Sequence, residues 1–205
     1  MKGFKSIKIE GRDGQQVEVV HNPTSYPLIG KGLQGAVFKL SKDRCVKIYA
    51  REKDALKERQ ALTALQDSPI VPKLYESGSN YIVMEYIEGP TLLEYLKKTR
   101  SMTKHLSQQL MFIIREMERI KFTRRDASLR HIIVTKKKDL KLIDLVNSYT
   151  KNRNQPKVLL KGLNRLGLLT PFLNQVKKID LGSFNKWMTD KKLLSQIGVH
   201  RKKGE

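Results

Sequence analysis

The sequence has little with which to staple or anchor itself. Its 205 residues include one cysteine, Cys45. That excludes an internal disulfide framework and a zinc site built from several thiolates, and it agrees with a reducing compartment. No apolar run approaches the roughly eighteen residues a membrane span needs, and the opening MKGFKSIKIEGRDG lacks the apolar core of a signal peptide. The expectation is a cytoplasmic protein without a membrane span, stabilised by packing alone. At 39% hydrophobic residues the chain can build one large domain or two small lobes.

Acidic residues are also scarce, 20 against 41 Lys and Arg, for a net charge of +21. Residues 145–205 are the most basic stretch, with 13 Lys and Arg against three Asp and Glu. Such a field draws in polyanions, whether nucleic acid, acidic protein or an anionic membrane surface. Aromatic residues make up only 7% of the chain, too few among the charges to choose between these partners. A basic surface without any partner is the plain alternative.

Apolar periodicity divides the chain. Residues 6–20 alternate around Asp13-Gly14, a hairpin pattern with a type I′ turn signal. A second hairpin is expected from residues 36–40 and 45–49, joined by a polar turn. Residues 51–66 contain no Pro or Gly and read as a helix, with Leu62 and Leu65 at helical spacing. Residues 81–86 read as a buried strand, Gly89-Pro90 as a break, and 92–98 as a short helix entered through Thr91. Leu106, Leu110, Ile113, Met117 and Ile120 form the stripe of a long helix. Two short strands, 132–134 and 140–143, flank the turn Lys136-Lys137-Lys138, and two or three helices follow Asp144. The order predicts an α+β fold of two lobes: an N-terminal hairpin extension (1–25), a β-rich lobe (26–87) and a shortened, mainly helical lobe (88–205).

Several residues carry chemistry. Gly30, Gly32 and Gly35 lie in G-x-G-x-x-G-x-V, which ends at Val37, between two expected strands. Glycines there let main-chain N–H groups approach phosphates. A dinucleotide-binding fold would require them to open a helix, and a β-rich run follows instead. Lys47 lies in the next strand on the face of Cys45. Glu58, in the helix after it, is placed to pair with Lys47. Asp126 follows the long helix in Arg124-Arg125-Asp126, and Asp144 follows the second short strand. Taken singly these are a surface lysine, a helical glutamate and two turn aspartates. Their order along the chain is what argues for a site.

In that order the chain resembles the protein-kinase superfamily over residues 29–144. LIGKGLQGAVFKL is similar to the glycine-rich loop, CVKIY to the V-A-I-K strand, and ERQALTAL to helix C. YIVMEYIEGPTLLEYL resembles the strand leading to the hinge; RRDASLRHIIV and LKLIDLV resemble the catalytic loop and the metal-binding strand. The resemblance implies an ATP site formed by Ile29, Gly30, Lys31, Gly32, Gly35, Val37, Cys45 and Ile133. Lys47 would hold the α- and β-phosphates, Glu58 would anchor it, and Met84 would be the gatekeeper. Glu85 and Ile87 would meet the adenine edge through main-chain groups. Asp126 would orient the acceptor hydroxyl and take its proton, and Asp144 would bind Mg²⁺ or Mn²⁺.

Departures from the family pattern are as informative. Arg124 stands for the histidine of H-R-D, His131 for the metal-binding asparagine, and Asp144-Leu145-Val146 for D-F-G, with no A-P-E after it. This trimming resembles atypical kinases of the RIO and lipopolysaccharide-kinase type. An imidazole at 131 suits Mn²⁺ better than Mg²⁺, or else it weakens the second metal site. The expected activity is ATP-dependent phosphorylation of a Ser or Thr hydroxyl in a protein, itself included. Phosphorylation of a small molecule or sugar is one alternative. Another is a pseudokinase that binds nucleotide and holds an acidic partner.

Overall fold

A computed structural model describes residues 3–149 and 155–199. The chain divides into two units, Met1–Ile87 with Asp144–Tyr149, and Glu88–Ile143 with Thr150–Glu205. The fold is α+β, with the sheet in the first unit and most of the helix in the second.

In the first unit, β1 (Lys8–Glu10) and β2 (Glu18–His21) form an antiparallel hairpin. Its connection is not the type I′ turn that Asp13-Gly14 suggests. The strands pair as Ile9 with Val19 and Glu10 with Glu18, leaving residues 11–17 as the link. Of the pair Asp13-Gly14 only Gly14 has positive φ, +75°, whereas a type I′ turn needs it at both central positions. The link places Val17 in a core shared with Ile7, Ala36, Phe38, Val46, Ile48 and Val83. The hairpin is therefore packed onto the main sheet.

That sheet has five antiparallel strands: β3 (Leu28–Lys31), β4 (Gly35–Lys39), β5 (Arg44–Tyr49), β6 (Leu74–Ser77) and β7 (Tyr81–Glu85), in the order β3-β4-β5-β7-β6. Alternation sends Val46 and Ile48 to the hairpin side and Cys45, Lys47 and Tyr49 to the other. Helix α1 (Glu52–Ala64) packs against β5, β6 and β7 and buries Asp54, Ala55, Glu58, Ala61 and Leu62. Residues Asp144–Tyr149 belong with this sheet although they follow the strands of the second unit in sequence. The tie is chemical: the Leu145 amide donates to Glu58 Oε1 at 3.0 Å and Lys47 Nζ meets Asp144 Oδ1 at 3.1 Å.

The second unit starts with α2 (Leu92–Thr99). A capping box fixes its entry, the Thr91 hydroxyl accepting from the Glu94 amide and the Glu94 carboxylate from the Thr91 amide. Helix α3 (Lys104–Arg119) buries Leu106, Leu110, Ile113 and Met117 along one stripe. On its flank Gln109 clamps the hairpin of β8 (Ile132–Val134) and β9 (Leu140–Leu142). Its side chain donates to the Lys138 carbonyl at 2.8 Å and accepts from the Leu140 amide at 2.6 Å. The two or three helices expected after Asp144 are four among the described residues: α4 (Lys157–Arg165), α5 (Leu169–Ile179), α6 (Leu181–Thr189) and α7 (Lys191–Ile197). Asp180 caps α6 through the Ser183 amide and Asp190 caps α7 through the Leu193 amide, so two carboxylates cut one apolar stretch into short helices. Phe172 of α5 stacks on Trp187 of α6, ring centres 6.4 Å apart. No helix among the described residues is long and apolar enough to cross a membrane.

Candidate functional site

Lys47 is the centre of the first unit's polar interior. It is 8% exposed, on the sheet face that looks toward α1. Its ammonium lies 2.6 Å from Glu58 Oε2 and 3.1 Å from Asp144 Oδ1. Burial works against the charged form, but the carboxylates of Glu58 and Asp144 outweigh it and hold the pKa above the ordinary lysine value. Lys47 is thus a fixed cation at every physiological pH.

Glu58, 3% exposed, is fully engaged. Oε2 accepts from Lys47 and from the Tyr49 hydroxyl at 2.7 Å, while Oε1 accepts the Leu145 amide. Burial, then the Glu58 charge, raises the Tyr49 pKa well above its usual value and keeps it a phenol that donates. A buried charge pair is tolerable only when its remaining lone pairs are satisfied, and here they are. Tyr49 was not among the residues expected from sequence. Its signal was there, because it sits two residues from Lys47 and so shares its face. Asp144 has φ of +61°, the left-handed region that non-glycine residues seldom occupy. Asp tolerates it better than most residue types, and the turn aims the carboxylate at Lys47.

The glycines divide by role. A Cβ on Gly35 would run into the Ile48 carbonyl of the neighbouring strand. At Gly32 the nearest atom to such a Cβ would be the Gly35 carbonyl oxygen, 4.0 Å away, and at Gly30 it would be Val37 at 3.8 Å. Gly35 is thus required by the sheet itself, whereas a Cβ at Gly30 or Gly32 would make only ordinary van der Waals contacts. The Gly32 amide donates to the Gly35 carbonyl at 3.0 Å, closing the turn, and the Gly32 carbonyl accepts the Val17 amide at 2.9 Å from the N-terminal hairpin. Ile29 is exposed on β3 and Lys31 ends that strand.

Cross-strand register puts Val37 and Ile82 opposite Lys47, and Met84 opposite Cys45, all on one face. Cys45 is buried, and its thiol donates weakly to the Glu85 carbonyl at 3.8 Å. Burial, then the charge of Glu85, pushes that thiol up to about 12. The Glu85 amide is spent on the Lys73 carbonyl. No hydrogen bond engages the main chain of Ile87 among the described residues, so this half-buried stretch keeps a donor and an acceptor to offer.

Asp126, His131 and Ile133 belong to the second unit. Asp126 is 6% exposed. Its carboxylate accepts the Val158 amide at 2.8 and 2.9 Å and the Leu159 amide at 3.2 Å, at the first turn of α4. It therefore caps a helix that begins 31 residues further along, at Lys157, a link sequence spacing could not reveal. Among the described residues the Nε atoms of Arg124 and Arg125 are buried without a hydrogen-bond partner, although Arg125 pairs with Glu118 at 2.6 Å. His131 ends a short turn before β8, its carbonyl accepting the Ile143 amide, and Ile133 is buried in β8. No group of three or more His, Cys, Asp or Glu among the described residues is arranged to hold a metal. What the first unit offers is one hard carboxylate, Asp144. That fits Mg²⁺, which is commonly held by one or two carboxylates with water and substrate phosphates completing its shell.

The RIO domain profile matches residues 32–162. The chain belongs to the RIO family. Its membership covers the glycine loop from Gly32, Lys47, Glu58, Asp126 and Asp144, and extends into α4. The Bacillus subtilis (strain 168) protein described as "Putative serine/threonine-protein kinase YrzF" is similar, 31% identical over 123 residues. That alignment takes in 58% of this RIO-family chain and 57% of the relative. A kinase-like protein of the RIO type accounts for both matches.

Proposed function

We propose that this protein transfers the γ-phosphate of ATP to a Ser or Thr hydroxyl of a protein, its own chain included. The observation that carries the reading is the buried Lys47, held between Glu58 and Asp144. Phosphoryl transfer asks a protein mainly for fixed charge in the right place. The field of a lysine at a mobile surface would be screened by solvent; this one is buried and anchored on two sides. Lys47 would bind the α- and β-phosphates, beneath Gly30 and Gly32, whose lack of side chains would let phosphate approach the main chain. Glu85 and Ile87 would meet the adenine edge through main-chain groups. Asp144 and His131 would be the ligands of a divalent cation, which neutralises phosphate charge when bound. The acceptor oxygen would attack the γ-phosphorus, the bond to the bridging oxygen would break, and ADP would leave. The hydroxyl proton would pass to Asp126.

A second reading rests on Asp126 itself. Its carboxylate already accepts two main-chain amides, and with His131 in place of asparagine the protein would be a nucleotide-binding pseudokinase. Incubating the pure protein with radiolabelled ATP and Mg²⁺ or Mn²⁺ separates the two. Label on protein is expected, lost by about 10²-fold or more in Asp126→Asn while nucleotide binding is kept; Lys47→Met should weaken binding or transfer. Asn at 126 retains one acceptor oxygen for α4, so wild-type rates with a lowered Tm would leave Asp126 as a cap alone. Nucleotide binding with no transfer to any hydroxyl supports the pseudokinase. Turnover only with metabolites points to a small-molecule acceptor.

A further inference from the structure

The helical unit holds a second concave feature, built from α4, α6 and α7. It is a half-open cavity of about 530 Å³, within the range of sites that take small ligands. Three of its lining residues are lysines: Lys157 at the start of α4, Lys186 on α6 and Lys192 on α7. No ion pair engages Lys157 or Lys186 among the described residues. The one acid among the described lining residues, Asp190, accepts two hydrogen bonds. Its Oδ1 accepts the Leu193 amide at 2.8 Å and its Oδ2 the Gln155 side chain at 2.7 Å. The amide of Leu193 first, then Gln155, holds that carboxyl below its usual range. Three ammonium groups against one ionised carboxylate, on which the Lys192 charge also acts, leave the described lining with a net positive charge.

We propose that this cavity binds a small, multiply charged anion whose charge sits on phosphate groups. Lysines act as mobile point charges that suit phosphate, and Gln196 adds a polar side chain that can hydrogen-bond the same group. Among the described residues the lining contains no aromatic side chain, so these residues give no platform for stacking a base. Filling it bears on Asp126. Lys157 adjoins Val158 and Leu159, whose amides hold that carboxylate, and Gln155 ties the approach to α4 to the cap of α7. An anion here would firm the first turn of α4.

Tripolyphosphate serves as the probe, titrated calorimetrically into the full chain at about 0.1 M salt. Binding at about 1 mM or tighter is expected, with Lys157→Gln/Lys186→Gln weakening it at least about tenfold. The control Lys97→Gln/Lys98→Gln removes equal charge from the exposed end of α2 and should stay within about twofold of wild type. Hydrogen exchange at Val158 and Leu159 should slow with the probe in wild type and not in the Lys157/Lys186 variant. Equal weakening in both double variants would mean diffuse charge and overturn the proposal. So would absence of binding, or its loss in Lys47→Met with retention in Lys157→Gln/Lys186→Gln. Tighter binding of citrate than of tripolyphosphate would overturn the phosphate assignment. A single-stranded oligonucleotide that binds through Lys157 and Lys186 where tripolyphosphate does not would overturn it in favour of a nucleic-acid contact.

Discussion

Cys45 illustrates how one side chain reports on a site. It stands where V-A-I-K has its alanine, opposite Met84 and on the face of Lys47, so the kinase reading puts adenine against its sulfur. With its pKa pushed up to about 12, only about one molecule in 10⁵ carries the reactive thiolate at pH 7. Alkylation by a small maleimide should therefore be slow and rise about tenfold per pH unit from 7 to 10. Saturating ATP or ADP should slow it at every pH. Labelling through global opening would instead level off near the ordinary thiol value of about 8.5. Equal rates with and without nucleotide, in protein shown separately to bind it, would remove adenine from this face.

At the level of elements, the glycine turn combines a structural and a ligand role that substitution can split. Gly35→Ala forces β4 away from the Ile48 carbonyl and should cost about 1–3 kcal/mol, lowering Tm by several degrees. Gly32→Ala meets nothing closer than 4.0 Å and needs no left-handed backbone. Its Tm should hold, and only nucleotide affinity should fall. Thermal melts with and without ADP test both; a Gly32→Ala protein as unstable as Gly35→Ala would show that the turn itself is strained. The same contrast explains what sequence could convey. Helix α3 was legible because it buries one stripe, and strands β5 and β7 because they are short apolar-rich runs buried at consecutive positions, on both faces. Lys47 and Glu58 were legible because they lie on adjacent elements. The long link of the first hairpin was not, because Val17 is placed by the distant strands it packs on, while Asp13-Gly14 speaks only for a local turn. The fourth helix after Asp144 was hidden because its boundary is one aspartate, Asp190, in an otherwise continuous pattern. The grip of α4 on Asp126 is tertiary and leaves no local trace.

For the molecule as a whole, the question is what keeps the proposed base in position. In kinases with a long activation segment, phosphorylation orders that segment through new contacts to arginine. Here α4 begins at Lys157, soon after Asp144, and the sequence between carries no A-P-E. Asp126 is held instead by the amides of Val158 and Leu159, groups that no phosphatase can alter. Asp144 likewise is turned toward Lys47 by its own left-handed backbone, with the buried Leu145 and Val146 following it where D-F-G has phenylalanine and glycine. Each acid thus carries its own restraint. Protein treated exhaustively with phosphatase should transfer phosphate at a rate within about twofold of untreated protein, measured as initial rates before autophosphorylation restores any label. Replacing Val158 by proline removes one of those amides and would test the restraint directly, since proline is tolerated in a helix's first turn. Transfer should drop in that variant with Tm changed little, whereas a large loss after dephosphorylation of the wild type would place control in a phosphorylated residue and not in α4.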